Sequence, residues 1–469
     1  MLHLPRIYVY YKSLSLIFVL ISLRSLIFSQ NSPNLNILTD TLTNSIREST
    51  PGIRSVSKEN ILSKTEVPRI QPEIDTSWHP VRRLWGYAFG DFYYVSHADA
   101  GNRGPENQYY NVPGSRNAFQ FRRLYLGYDY DISRKFIAEV ILASEPNANT
   151  GVNGTTSIQN GDNTVDGKMA FYIKIANIRY RNIWPGTDLV IGEMLTPGWG
   201  LYVGPELHTN APNSLSENTM GHRFLEKTVA DIHKSNPFDL GAALQGTFDP
   251  ATKKMGYVFM VGNNSQSGLL SAANPNTGFF KIFYGSIWGK FLNNHIYLDL
   301  YAEYLKTASS TPSLGAQSHN LVKIFASYNA KPITLGVEAY AQTFKNGLTN
   351  STSGIAENAV TEAISIWAKG PIIKNKLSFF IRRDGYNPDT KFNAGNNYTI
   401  NTNLNSYTPN YKETFYNGGI DFTPAPKIHF MPNFWLVDYK DQRNSTVSGY
   451  VANDHTLAYR FTFFYTFGK

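Results

Sequence analysis

The chain has no cysteine among its 469 residues. That absence excludes disulfides, thiolate chemistry and an acylated N-terminal cysteine. Long apolar runs are equally scarce: beyond the N-terminal segment, nothing approaches the roughly 20 apolar residues that a membrane-spanning helix needs. Charge is sparse as well, with only 17% Asp, Glu, Lys and Arg and a mean hydropathy of -0.30. A helical membrane protein would be far more apolar. No Gly-x-Ser-x-Gly or comparable nucleophile context occurs, so no catalysis and no cofactor are expected. The formal net charge of +8 falls to +5 if residues 1–29 are removed, which is too mild to argue for nucleic acid.

What the chain has in quantity is aromatics, with 30 Tyr, 29 Phe and 7 Trp, and 36 Gly. It also has a rhythm. Stretches of about ten residues with apolar side chains at every second position recur from Arg83 to the end. The alternation predicts sixteen strands, beginning with residues 83–95, 118–130, 135–144, 168–181 and 187–195. Six more lie at 238–248, 254–262, 279–291, 295–306, 319–328 and 333–344, and the last five at 361–369, 376–385, 413–422, 427–440 and 455–467. Links between them alternate between tight, as at Asp131–Arg134 or Asn293–Asn294, and long and polar. Turns on one side and loops on the other are the signature of a transmembrane antiparallel β-barrel, in which only alternate residues face lipid and the aromatics form interfacial girdles. An even strand count puts both termini on the turn side.

The N-terminus addresses the compartment. Arg6 and Lys12 precede the apolar run Leu14–Leu20, Arg24 interrupts the apolar residues beyond it, and Ser29 offers a small residue for cleavage. Residues 1–29 read as a secretory signal peptide. Residues 30–82 are Asn/Ser/Thr-rich and read as a periplasmic lead-in, and 83–469 as the barrel. An outer membrane of the Gram-negative type is the expected location, with its lipid as a partner.

Parity assigns the lumen. A charge on the lipid face at mid-depth costs roughly 2–4 kcal/mol, so basic residues flanked by apolar ones are expected to point inward. These are Arg123, Lys174, Lys281, Lys323, Arg382 and Arg460, joined by the acids Glu139, Asp299, Glu303 and Glu338. A lumen of mixed sign favours a water-filled passage for small hydrophilic solutes. In the last strand Phe464 breaks an otherwise polar inward set.

One connection stands apart: Thr196 to Pro237, after the fifth strand. Ser214 to Glu217 reads as a capping box ahead of a short amphipathic helix with Phe224, Leu225, Val229 and Ile232 on its apolar side. A segment of this length is expected to fold inward and narrow the passage, with Arg223, Glu226 and Lys227 at the constriction; the alternative is an ordinary extracellular loop, since such barrels also carry long surface loops. His222, Glu226 and His233 make a poor metal shell, and no metal is expected.

Four short motifs in this order resemble the phosphate-selective porins O and P. They are Phe121-Arg122-Arg123, the strand exit Gly192 to Pro197, Phe224-Leu225-Glu226-Lys227, and Asp239-Leu240-Gly241. The resemblance implies a trimeric sixteen-stranded channel that favours anions such as phosphate. Lys227 and Phe238 stand where that family commonly has Arg, and an ammonium cannot copy the planar fork of a guanidinium. Two other readings remain open: a barrel-embedded lipid hydrolase, and a structural or adhesive barrel without an open pore.

Overall fold

The structure, a computed structural model, describes residues 78–103, 109, 112–144, 164–165, 168–169, 171–198, 228–233, 237–264, 280–307, 315–401 and 408–468. The expected signal peptide and nearly all of the lead-in lie outside them. Sixteen strands form one closed antiparallel barrel. They are β1 (Arg82–His97), β2 (Asn117–Asp131), β3 (Phe136–Ser144), β4 (Tyr172–Trp184), β5 (Thr187–Leu195), β6 (Phe238–Thr247), β7 (Met255–Gly262) and β8 (Ile282–Phe291). Then come β9 (Ile296–Thr307), β10 (Gln317–Asn329), β11 (Thr334–Asn350), β12 (Ala356–Ile373), β13 (Leu377–Asn387), β14 (Tyr411–Ala425), β15 (Ile428–Asp441) and β16 (Asp454–Gly468). Each strand pairs with its chain neighbours, and β1 pairs with β16, from Trp85 opposite Gly468 to His97 opposite Leu457.

Alternation does in space what it does in sequence. On β10, Val322 and Ile324 are exposed on the outer wall, while Leu321, Lys323 and Phe325 are buried inside. On β16, Tyr459 and Phe461 face out and Arg460 and Thr462 face in. Phe464 also faces in, packed near Tyr87 and His429. The tight turns rely on residues that tolerate a left-handed backbone, among them Asn182, Asn293, Asn294 and Asn375. The core of this molecule is therefore the inner wall. Near the turn side it uses one device three times: inward Trp85, Trp288 and Trp367 lie across Gly127, Gly256 and Gly336 of the adjacent strand. A methyl group on Gly336 would stand 2.0 Å from Cζ2 of Trp367.

Departures from plain alternation come from bulges. The register of β1 and β2 shifts so that Arg122 and Arg123 are both buried inside, and that of β3 and β4 shifts so that Lys174 and Ile175 are. An extra residue in one strand gives two neighbours the same face. Parity alone sets Ile175 opposite Lys174; the bulge corrects it. A second correction concerns residues 345–360, expected as a loop. β11 and β12 run on through an irregularity between Phe344 and Leu348 to a short turn, and the strand Tyr398–Ile400 joins their edge. Lys345-Asn346-Gly347 has the composition of a turn, and Asn346 does take a positive φ, but pairing resumes beyond it.

Candidate functional site: the barrel lumen

The segment between β5 and β6 is held at its base by the Thr196 N–H, which donates to the Pro237 carbonyl at 2.9 Å. Its described ends reach far across the barrel. Gly198 packs against the ring of Tyr301 on β9, and its carbonyl accepts from Lys323 Nζ on β10 at 3.0 Å. At the other end is a one-turn helix, α1 (Val229–Ile232). The Asp231 carboxylate closes its first turn by accepting from the Thr228 N–H at 3.3 Å and the Thr228 hydroxyl at 2.9 Å.

α1 is fixed to inward side chains of the far wall. The Ala230 N–H donates to Asp384 at 3.0 Å, and the Tyr340 hydroxyl donates to the Ala230 carbonyl at 3.0 Å. Asp231 pairs with Arg382 at 3.2 Å. His233 meets Glu413 at 3.3 Å and stacks on Tyr386 with ring centroids 3.7 Å apart. Arg382 and Asp384 lie on β13, which is eight strands round from β5 and so half of the ring away. The described residues of the segment thus meet inward side chains far from its own strands. Arg223, Glu226 and Lys227, and with them the expected helix start at Ser214, lie outside the described residues.

The inward cations are nearly all matched to acids. Asp91 on β1 accepts from Arg460 Nε at 3.0 Å across the closing seam and from Arg122 Nε of β2 at 3.3 Å. Lys323 sits between Asp299, at 3.5 Å, and Glu338, at 3.2 Å, with its side chain fully covered. Arg382 has Asp384 at 2.8 Å besides Asp231. Near the turn side, Arg179 joins Glu139 and Asp188, and Arg83 joins Asp129 and Asp131. Arg123 and Lys174 lie against aromatic rings: Arg123 is 5.8 Å from the centre of Phe89, and Lys174 is 4.3 Å from that of Phe238. Such pairing is what a buried charge requires.

Five of the six expected basic residues, Arg123, Lys174, Lys323, Arg382 and Arg460, are buried on the inner wall. Lys281 is not among them. It precedes β8, where Ile282, Tyr284, Ser286 and Trp288 are buried and Phe283 and Ile287 are exposed, so Lys281 has the parity of the outer face. Its apolar neighbour Ile282, read as lipid-facing, points in instead. The expected acids Asp299, Glu303 and Glu338 are buried, and Glu139 is half-buried.

Sequence reading missed the other partners. Asp384, beside Arg383, and Glu413, near the start of β14 beside Lys412 and Thr414, do not stand out from their polar neighbours, and Asp91 follows a glycine that weakens the alternation. Also missed was a second inward segment. Tyr109, from the connection after β1, is buried against Tyr93 and Trp435 and lies under the guanidinium of Arg122. Nearby, Arg103 grips Asp99 through two nitrogens and donates to the carbonyls of Val451 and Ala452. Tyr109 is a lone aromatic in a polar loop, which nothing in the sequence distinguishes from a surface residue.

No family model matches this sequence, and no curated protein matches it. Solved structures do. The chain is similar to an anion-selective porin from Comamonas acidovorans, at 12% identity and a TM-score of 0.50, over 83% of this chain and 100% of that one. It is likewise similar to the outer membrane channel DcaP of Acinetobacter baumannii, at 11% identity and a TM-score of 0.52, over 83% and 97%. At these identities the likeness is one of fold: a closed sixteen-stranded barrel of the kind outer-membrane porins have.

Proposed function

We propose that this protein is an outer-membrane channel through which small hydrophilic solutes diffuse passively. The observation that carries this reading is the segment from β5 to β6, which reaches the opposite wall of a closed barrel whose inner face is charged and whose outer face is apolar. A barrel with those two faces fits a bilayer, and a peptide strung across its interior gives a size limit. The two porin-like neighbours support the same conclusion at the level of fold. A signal peptide at residues 1–29, periplasmic termini, a homotrimer and kinship with the phosphate-selective porins O and P belong to this proposal and rest on the sequence.

On charge the lumen supports a refinement. The family resemblance implies anions. Among the described residues, however, buried carboxylates on the strands outnumber buried basic groups, and the cations are paired with acids or packed against aromatic rings. Two of these buried acids, Glu413 and Asp421, meet histidines, His233 at 3.3 Å and His429 at 2.9 Å. Fixed negative charge in a narrow, poorly hydrated passage raises the local concentration of cations, with screening beyond about 8 Å at physiological ionic strength. Small cations and zwitterions are therefore favoured over phosphate.

Planar-bilayer recording tests both points. Deleting residues 215–234 should raise single-channel conductance several-fold in a variant that still inserts, and the reversal potential of the intact channel in a salt gradient should have the sign of cation preference. A properly inserted wild-type protein without conductance would leave a closed structural barrel. Anion preference would return the reading to the family resemblance.

A further inference from the structure

Three side chains at the loop-side rim belong neither to the lumen nor to its anchors: His97 at the end of β1, and Asp454 and His455 at the start of β16. Their potential ligand atoms all lie within 4.8 Å of one another. His97 Nε2 is 2.8 Å from Asp454 Oδ1, and His455 Nδ1 is 3.6 Å from the same oxygen. Donors on a tetrahedral zinc with bonds of about 2.0–2.2 Å stand roughly 3.3 Å apart. The two separations bracket that distance.

The carboxylate is already oriented. Its Oδ2 accepts from the Ala100 N–H at 2.8 Å and its Oδ1 from the His455 N–H at 2.8 Å, contacts of the kind that hold a ligating carboxylate in place. The two imidazoles are stacked, with centroids 4.2 Å apart and planes 22° apart. They must fan open before both lone pairs meet one ion. With 45% and 40% of their side chains exposed, that rotation displaces water and disturbs no packed core.

The geometry points to a transition-metal site of two imidazoles and one carboxylate at the rim, with water completing the shell. Nitrogen donors select zinc or copper over calcium or magnesium. Because His97 belongs to the first strand and the other two ligands to the last, the ion bridges the seam just beyond the register shift between Val95 and His97. It would act there as a staple.

Calorimetric titration of the full-length protein, folded in detergent micelles, with zinc chloride alone tests this. In the double variant H97A/H455A, affinity should fall by more than the roughly 10–100-fold that loss of an outer-shell partner costs. Zinc should raise the thermal midpoint of the wild type and not that of the variant, whose folding is checked by its unheated gel mobility. If the double variant does not fold, H455Q carries the same comparison. Equal affinity and an equal midpoint shift in wild type and rim variant would overturn the site, as would loss of binding in H295A/H429A with retention in the rim variant.

Discussion

Replacing Lys323 with methionine removes one charge and leaves two. Lys323 Nζ stands 3.2 Å from Glu338 and 3.5 Å from Asp299, donates to the Gly198 carbonyl, and has no exposed side-chain surface. At an effective dielectric of about 20, unit charges at these distances attract by about 5 kcal/mol each, and the desolvation of all three groups offsets most of that. The variant keeps the desolvation of the two carboxylates and loses the cation between them, while Asp299 still accepts from the Ser286 hydroxyl at 2.6 Å. Methionine fills the volume, so no cavity term enters. The expected destabilisation is about 3–5 kcal/mol, the cost of breaking a buried pair from one side. The triple variant Lys323→Met, Asp299→Asn, Glu338→Gln should recover more than half of it. Urea unfolding of the barrel in lipid vesicles, followed by tryptophan fluorescence, measures both. Losing the bond to Gly198 should also loosen one end of the segment between β5 and β6 and increase current noise in single-channel records. A Lys323→Met barrel within about 1 kcal/mol of the wild type, with quiet currents, would refute the reasoning, because it would mean that lumen water already screens the cluster.

Two further perturbations separate packing from titration. Gly336→Ala forces a methyl group against Trp367 and should cost about 1–3 kcal/mol, with recovery in Gly336→Ala/Trp367→Leu; equal stability of all three proteins in the same unfolding assay would contradict the glycine–tryptophan pairing. Asp389, in the connection after β13, accepts from the Val360 and Lys391 N–H groups at 3.1 and 3.0 Å, and burial, together with nearby Glu357, holds its carboxyl above the ordinary value. A raised folded pKa contributes stability that is complete below the unfolded value near 4 and is lost as pH rises through the folded one. Asp389→Asn should therefore be more stable than wild type at pH 8, with the difference shrinking toward pH 4; a gap that is constant across that range would show that ionisation of Asp389 costs the fold nothing.

The strands were legible because a barrel writes each residue's environment into its parity. Val322 and Ile324 are exposed on the outer wall and Lys323 is buried on the inner one, and a charge on a lipid-facing wall costs roughly 2–4 kcal/mol. The bulges at Arg122 and Lys174 were not legible, since an inserted residue changes the phase without changing composition. Lys281 failed for a related reason: Ile282 is apolar yet points inward, and a hydrophobic residue in a packed lumen looks like one facing lipid. Partners across the barrel were out of reach as well. The acid that Arg460 meets lies at the other end of the chain, and the acids facing α1 come from strands that only ring closure brings opposite it.

The Asp91–Arg460 bond joins residues 369 positions apart. Loop entropy makes bringing such distant points together cost roughly 3 kcal/mol more than closing a ten-residue hairpin. The hairpins can form as neighbours meet, but this contact has to wait for the last strand to find the first. Until then β1 presents an open row of unpaired backbone groups to whatever strand arrives. A carboxylate at that edge is poorly matched to an apolar strand from another molecule and well matched to one that carries arginine. The order of assembly is thereby given a lock: the ring closes last, and Asp91 helps decide which strand closes it.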